Sequence, residues 1–410
     1  MQCRHCQTPL HHVWADLIAC PPTNAMVDPA DTSFVEKYFN LKVYVCHNCW
    51  LVQTDENERP EEIFNAHYVY FSSYSTSWVE HARQYVEKVS ERFNLGPGSK
   101  VIEVASNDGY LLQWFVKKGV QVLGVDPTAN TAAAAKEKGV DTLVDFFGTK
   151  TAREKVVPTF GKADLICGSN VLAHVPDIND FIGGWKAALA EGGVLTIESP
   201  HLVQLVANNQ FDTIYHEHYS YLSFSFINRL FASVGLRVFD VEEIPTHGGS
   251  IRVYGCHADD AAKPVGPAVT ELLAREDALG LNGLAYYQGF QAQMDGIKYA
   301  FWEFLIAQKK AGKKVAGYGA ASKGTTLMNY AGYKGTDLIA FVADANPHKQ
   351  NTQCPGCRLP VVHPDEIAAY QPDYVVVFPW NLSAEISQQL SYIRSWGGQF
   401  VRFVPQMEVW

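Results

Sequence analysis

Long apolar runs are missing from this 410-residue chain: no stretch of about 18 uninterrupted apolar residues offers a membrane span. The first residues, Met1-Gln2-Cys3-Arg4-His5-Cys6, lack the apolar core of a secretory signal, so a cytoplasmic setting is the expectation. Positive charge is scarce as well. Lys and Arg number 33 against 43 Asp and Glu, a formal net charge of −10. That deficit argues against a nucleic-acid binder and leaves room only for a local basic pocket. Two phosphate-binding signatures are absent. After the strand-like run Lys100–Val104 the glycines of G-x-G-x-x-G are missing and only Gly109 remains. In Gly319-Ala320-Ala321-Ser322-Lys323-Gly324 the lysine precedes the glycine that it should follow in a P-loop, so nucleoside-triphosphate hydrolysis is not expected.

The nine cysteines are an odd number, and several stand in C-x-x-C pairs. With no secretion signal, that pattern points to reduced thiols and metal rather than a disulfide framework. Cys3, Cys6, Cys46 and Cys49 form two such pairs and supply the four thiolates of a tetrahedral zinc site. Four cysteines leave no open position, so the zinc is expected to be structural. The long interval between the pairs must fold on itself. His5, His11, His12 and His47 are less favoured ligands nearby, and Cys20 reads as a small buried residue. Cys354-Pro355-Gly356-Cys357 has no second knuckle and reads as a simple turn.

Hydrophobic residues make up 47% and charged ones 19%, an ordinary globular balance. The length suits two or three domains. The patterning predicts an α/β protein: a zinc-binding module at 1–75, a central Rossmann-like sheet at 76–258, and a helical linker with a second Rossmann-like α/β domain at 259–410. In the central part a buried strand ends near Glu103, a tight loop runs Ala105-Ser106-Asn107-Asp108-Gly109, and a helix follows. A second strand ends at Asp126-Pro127, 23 positions past Glu103. Strand, loop, helix, strand and acid make a nucleotide-binding unit whose acid can accept ribose hydroxyls. With one glycine, it suits S-adenosylmethionine, which has no pyrophosphate, better than NAD. Asp145-Phe146-Phe147 follows the next strand and offers an acid and an aromatic wall to adenine. Asn170 and His174 follow the fourth, at the edge where open α/β sheets hold ligands. Two antiparallel strands joined through Thr246-His247-Gly248-Gly249 would complete seven. The C-terminal strand–glycine–helix unit offers backbone amides and Lys323 to an anion. A rival NAD-binding reading of that unit would set Asp344 on the ribose, although Gly324 comes too late for the fingerprint.

The densest chemistry lies in Tyr215-His216-Glu217-His218-Tyr219-Ser220-Tyr221, on an insertion after the fifth strand. It reads either as a polar helix start or turn with aromatic packing or as a place where protons are moved. Tyr68-Val69-Tyr70-Phe71 reads either as an aromatic clasp between domains or as phenols projecting into a neighbouring site.

These motifs, in this order, resemble a known family. The four-cysteine module, Ser106-Asn107-Asp108-Gly109, Asn170-x-Leu172-x-His174-x-Pro176, Tyr215-x-Glu217-His218, His247-Gly248-Gly249-Ser250-x-Arg252 and Gly317-Tyr318-Gly319-Ala320 with Lys323 are similar to those of zinc-containing, S-adenosylmethionine-dependent sugar C-methyltransferases. The resemblance covers nearly the whole chain. It implies methyl transfer to a ring carbon beside the ketone of a nucleotide-linked 4-keto-deoxysugar, usually C3 of a dTDP sugar. It also implies the cofactor in the middle domain and the sugar nucleotide between the middle and C-terminal domains.

On that pattern His218 is the general base, with Glu217, Tyr215 and Tyr70 as catalytic neighbours. Cofactor contacts fall on Tyr68, Glu103, Ser106, Asn107, Gly109, Asp126 and Pro127, then on Asp145, Phe146, Phe147 and Asn170. Acceptor contacts fall on His174, His216, His247 and Arg252, then on Lys323, His348 and Lys349. A neutral imidazole suits removal of a C–H proton beside a ketone. Glu217 can orient its ring, and a phenol from Tyr215 or Tyr70 can donate to the enolate oxygen. Two departures stand out: His216 sets a second imidazole beside the base, and Ala105 stands where many methyltransferases have glycine. The expected partner is the sugar nucleotide, with no nucleic acid or membrane, in a monomer or small homo-oligomer.

Overall fold

A computed structural model describes residues 1–56, 59–64 and 68–410. The interval between the cysteine pairs folds as a hairpin. β1 (His12–Cys20) and β2 (Phe39–Val45) pair antiparallel, and β3 (Val52–Thr54) follows the second pair. Leu41, Val43 and Val45 alternate inward, as a strand with one buried face requires.

The helix ahead of the central sheet spans Thr76–Arg92 and is capped by the Ser75 side chain, which accepts the Trp78 amide. The parallel strands that follow are apolar on both faces, as sheets covered by helices on both sides are. They are β4 (Lys100–Val104), β5 (Gln121–Val125), β6 (Thr142–Leu143), β7 (Ala163–Ser169) and β8 (Leu189–Pro200). The chain then leaves the sheet. Within that excursion β9 (Ser220–Tyr221) pairs with β3 of the N-terminal module. It returns as the antiparallel pair β10 (Leu236–Ile244) and β11 (Ser250–His257), completing the order β10-β11-β8-β7-β4-β5-β6. The expected seven strands and their closing hairpin are all present.

Helices at Pro267–Ala278 and Phe290–Lys310 lead to a second sheet. It contains β12 (Val315–Tyr318), β13 (Val342–Ala343), β14 (Val361–Val362), β15 (Tyr374–Val377), β16 (Gln399–Arg402) and β17 (Glu408–Val409). All its pairs are parallel except the last. Just before the short β13, the Ala340 amide already reaches the Val315 carbonyl at 3.0 Å.

One continuous core joins Trp14 and Leu41 of the hairpin, Phe211 and Ile214 of the excursion, and Phe290 and Trp380 further on. Trp14 stacks on Phe290 with centroids 4.3 Å apart. The excursion is thus held between the first and last thirds of the chain. The β10–β11 connection is held too. Gly248 has φ +85°, and a Cβ there would lie 2.4 Å from the Trp380 ring and 2.6 Å from Gln210. Gly248→Ala is expected to destabilise the fold by about 2–4 kcal/mol, from overpacking and left-handed strain. The denaturation midpoint reads this, and an unchanged midpoint would mean that Trp380 yields freely.

The predicted turn at Cys354–Cys357 has a more definite shape than expected. Cys3, Cys46 and Cys354 each donate their amide to the carbonyl five residues on and accept the amide four residues on. The donors of the second bond, Gln7, Trp50 and Arg358, all have positive φ, at 61°, 63° and 60°. The turn therefore repeats the backbone of both metal knuckles. Among the described residues only Cys3, Cys6, Cys46 and Cys49 gather as three or more candidate ligands. The third knuckle instead gives its Gly356 amide to Glu36 at 2.7 Å.

Candidate active site

The four sulfurs of the N-terminal module lie within 4.8 Å of one another, with Cys3–Cys49 at 3.4 Å and Cys6–Cys46 at 3.5 Å. Thiolates on a tetrahedral zinc, bonded at about 2.3 Å, stand about 3.8 Å apart, so the donor set fits that ion. Gln53 Nε2 donates to Cys3 Sγ at 3.1 Å, as to a thiolate. From this module Arg4 reaches the Thr54 carbonyl at 2.6 Å and the Pro176 carbonyl at 3.1 Å.

Those contacts lead to the histidine cluster, which is a pinned turn and not the start of a helix. The Tyr219 amide donates to Ala173 O at 2.7 Å, and its carbonyl accepts the Thr54 amide at 3.0 Å. The Thr54 hydroxyl donates to the His218 carbonyl at 3.1 Å. His218 Nδ1 lies 2.8 Å from the Thr213 carbonyl. A carbonyl only accepts, so the neutral ring carries its proton on Nδ1 and presents the Nε2 lone pair. The Tyr215 and His174 rings stand 4.0 Å and 4.6 Å away. Burial first, and then His174, lower the His218 pKa well below the usual histidine value. Burial takes His174 down to about 4. Burial and then the Glu217 charge push the phenols of Tyr215 and Tyr68 well up, so both remain donors.

His216 is turned away. It is 3% exposed, packs edge-on against Phe39 at 5.9 Å and lies 3.3 Å from the Phe39 carbonyl. The expected acceptor contact at His216 is thus corrected, because β2 covers the ring. The orienting group of His218 also differs from expectation: it is the Thr213 carbonyl. Glu217 accepts from Asn24 at 2.6 Å and from Tyr68 at 3.5 Å. Asn24 carried no signal in the sequence, since only the fold brings it across from the N-terminal module.

At the cofactor edge, both oxygens of Glu103, Ser106 Oγ and Asn170 Oδ1 are buried without a hydrogen-bond partner among the described residues. Unpaired buried acceptors fit an adenosyl group, whose hydroxyls and amines would satisfy them. Asp126 is partly committed, accepting the Asn107 and Thr128 amides, each at 2.9 Å; Pro127 follows it, half-buried. Asp145 accepts from Lys155 at 2.7 Å, Phe147 turns onto Phe181, and Phe146 alone of the two stays exposed. The loop backbone is left-handed at Ala105, Asn107 and Gly109, with φ of 58°, 47° and 74°. Ala105→Gly is therefore expected to raise stability by about 1 kcal/mol in denaturant melts. No gain would mean that the lost entropy cancels the relieved strain.

The Tyr68–Phe71 segment is a clasp made by its backbone. Asn107 Oδ1 accepts the Ser72 amide at 2.9 Å, while the carbonyls of Tyr68 and Val69 accept from Asn130 and Asn346, each at 2.8 Å. Its phenols are left to other uses. Tyr70 keeps 46% of its surface accessible, and the surrounding protein raises its pKa, so the phenol keeps its proton.

On the acceptor side the expected cations divide. Arg252 is buried on Glu198 at 2.8 Å, and Lys349 Nζ braces the Ala320 carbonyl at 2.8 Å. His348 stacks on Phe71 at 5.3 Å. Asp344 accepts the Ala320 amide at 2.7 Å and the Asn346 amide at 2.8 Å, the same pair of loop bonds that Asp126 makes in the central sheet. The glycines there serve packing: a Cβ on Gly319 or Gly324 would lie 2.5 Å from Pro379 or 2.6 Å from Phe378. Lys323 lies over the Trp380 ring at 5.7 Å, and Trp380 Nε1 donates to Asp212 at 2.7 Å. Burial pushes the Asp212 pKa up to about 6, against the pull of Lys323. Asp212, Thr213 and Trp380 escaped sequence reasoning because none belongs to a motif.

Comparison with known proteins finds relatives for each part of the chain. Residues 3–64 match a family described as "Putative zinc binding domain", 78–241 one described as "Methyltransferase domain", and 245–405 one described as "C-methyltransferase C-terminal domain". The chain is 36% identical over 411 residues to C-methyltransferase NovU of Streptomyces niveus, covering 100% of this chain and 96% of that protein. A ubiquinone biosynthesis O-methyltransferase of Bradyrhizobium sp. (strain ORS 278) is 31% identical over 116 residues, 28% of this chain and 44% of that protein. Among solved structures, the PH0226 protein of Pyrococcus horikoshii OT3 aligns with TM-score 0.38 and 14% identity, over 46% of this chain and 95% of that one. No helix among the described residues is long and apolar enough to cross a membrane. With a full-length relative at that identity and matches to all three parts, the chain belongs to the family of C-methyltransferase NovU and is an S-adenosylmethionine-dependent C-methyltransferase.

Proposed function

We propose that the enzyme methylates a nucleotide-linked 4-keto-deoxysugar, with dTDP as the favoured nucleotide, at the carbon beside the ketone, C3 ahead of C5. The observation that carries the reading is His218: a neutral imidazole, tied through Nδ1 to the Thr213 carbonyl, with Nε2 unengaged among the described residues and beside a phenol. Carbon is a poor nucleophile, so its proton must leave first, and a ketone makes the adjacent C–H acidic. His218 Nε2 takes that proton, and the C–H electron pair moves through the enolate to the ketone oxygen. Tyr215 or Tyr70, each a protonated phenol, donates to that oxygen. Glu103, Ser106, Asp126 and Asn170 would hold the adenosyl part of S-adenosylmethionine, which when bound supplies the electrophilic methyl. Lys323 offers the acceptor a cation. The four-cysteine module would hold zinc away from the chemistry, as a cross-link.

The test is incubation with dTDP-, GDP- and CDP-4-keto-deoxysugars, followed by mass and NMR analysis of the product. Exchange of one ring proton with D₂O is expected, and its loss in His218→Ala. Transfer to an oxygen or nitrogen with no ring-proton exchange would overturn the reading.

A further inference from the structure

Two non-glycine residues with left-handed backbone meet at the carboxyl edge of the central sheet. Asn170, after β7, has φ +57°, and His247, between β10 and β11, has φ +51°. Such conformations are unfavourable for residues with a Cβ and persist where the surroundings impose them. Here the two side chains face each other, with Asn170 Nδ2 2.9 Å from His247 Nε2. An amide NH₂ only donates, so Nε2 accepts, and the proton of the neutral ring sits on Nδ1.

The rest of the environment fixes this imidazole. Trp78 packs edge-on against it at 5.1 Å. The preceding Thr246 hydroxyl donates to Glu198 at 3.0 Å, and His81 and Arg252 hold that carboxylate at 2.9 Å and 2.8 Å. The following Gly248 gives its carbonyl to Gln210 at 2.7 Å. Nδ1 alone is left. It makes no hydrogen bond among the described residues, and His247 stays partly accessible. The charged and titratable groups around the ring are Lys323, Glu198 and His81. Gly248, next to His247, lies against the Trp380 ring; Lys323 stands 5.7 Å from that ring, and Trp380 holds Asp212, the neighbour of the Thr213 that binds His218.

We propose that His247 is a second histidine of the reaction chamber, whose Nδ1–H donates to the acceptor's ketone oxygen as charge develops there, and that Asn170 is its positioning residue. This rests on the keto-acceptor reading above. No proton changes hands at His247: the C–H proton goes to His218, the electron pair to the ketone oxygen, and the Nδ1–H bond stays whole. Burial, then Lys323, bring the His247 pKa down to about 4, so the ring is an uncharged donor at neutral pH. A neutral imidazole held this way suits a developing oxyanion, since it need not lose its own proton.

The experiment uses the full-length protein and whichever dTDP-4-keto-deoxysugar the wild type methylates. His247→Ala and His247→Asn, the latter tolerant of left-handed backbone, are compared by kcat, cofactor affinity and D₂O exchange with S-adenosylhomocysteine bound. In His247→Ala, kcat and exchange are expected to fall together by about 10²–10³-fold, with cofactor affinity unchanged. An undiminished exchange rate, or a loss confined to cofactor affinity, overturns the assignment while the keto-acceptor reading stands. A wild type inactive on every keto-sugar overturns both.

Two further measurements are independent of those rates. Nitrogen-15 NMR of histidine-labelled protein, assigned by difference with His247→Asn, is expected to find the proton on Nδ1; a proton on Nε2 overturns the donor role. Asn170→Asp is expected to raise the pKa of His247 by stabilising its imidazolium, adding a rate loss as pH rises past that value. An unmoved pH profile would remove the positioning role of Asn170.

Discussion

His218→Asn is expected to bind S-adenosylhomocysteine as the wild type does and to lose about 10²–10⁴-fold in turnover, the usual worth of a positioned general base. Asparagine fills much of the same space under Tyr215 but accepts no proton near neutrality. The pH dependence carries a second expectation. Burial and the neighbouring His174 favour the neutral ring, so its pKa lies well below the ordinary 6.5. A base is active when unprotonated. The wild-type kcat/KM should therefore stay flat as pH falls through 6.5 and decline only well below it. A limb at or above 6.5, or a near-normal rate in His218→Asn, would move the base elsewhere. His174 would be the next candidate, since its ring stands 4.6 Å away and His216 is covered by Phe39.

Cys46→Ser is expected to abolish turnover although the thiol lies outside the histidine cluster. About one zinc per chain is expected by metal analysis, bound to Cys3, Cys6, Cys46 and Cys49. A structural zinc site supplies about 10–16 kcal/mol in small peptides, comparable to the whole stability of a domain at about 5–15 kcal/mol. Losing it should release β3, and β3 holds the 215–221 turn. Val52 and Gln53 pair with Tyr221 and Ser220, and Thr54 bonds the backbone of both Tyr219 and His218. The seven-stranded sheet has its own core and should still bind cofactor. Hydrogen exchange would show faster amides at 215–221 in Cys46→Ser. Full activity after metal removal would mean that the core around Phe211 and Ile214 holds the turn unaided.

Much of this was legible in the sequence because it is local. Strands β4, β5, β7 and β8 read as apolar runs because both faces are buried. The two C-x-x-C pairs announced the four-thiolate cluster through spacing alone. The acid after β5 marked the cofactor edge. Other features depended on where distant segments came to rest. The Asn24 amide has no meaning until the N-terminal module lies against Glu217. Lys349 looked available to a ligand, but its Nζ is spent on the Ala320 carbonyl of a distant loop.

The His216–Glu217–His218 cluster shows the division most directly. By itself, the sequence determined that two imidazoles, a carboxylate and several phenols lie together, and that they follow the fifth strand of a nucleotide-binding sheet. Only the tertiary structure set the two histidines in different surroundings. Side chains two residues apart in a turn point to different surroundings, and what fills those surroundings comes from elsewhere: Phe39 over His216, and the Thr213 carbonyl and the Tyr215 ring about His218. The protonation state followed from the same packing, because burial is a property of the folded chain and no sequence spacing encodes it.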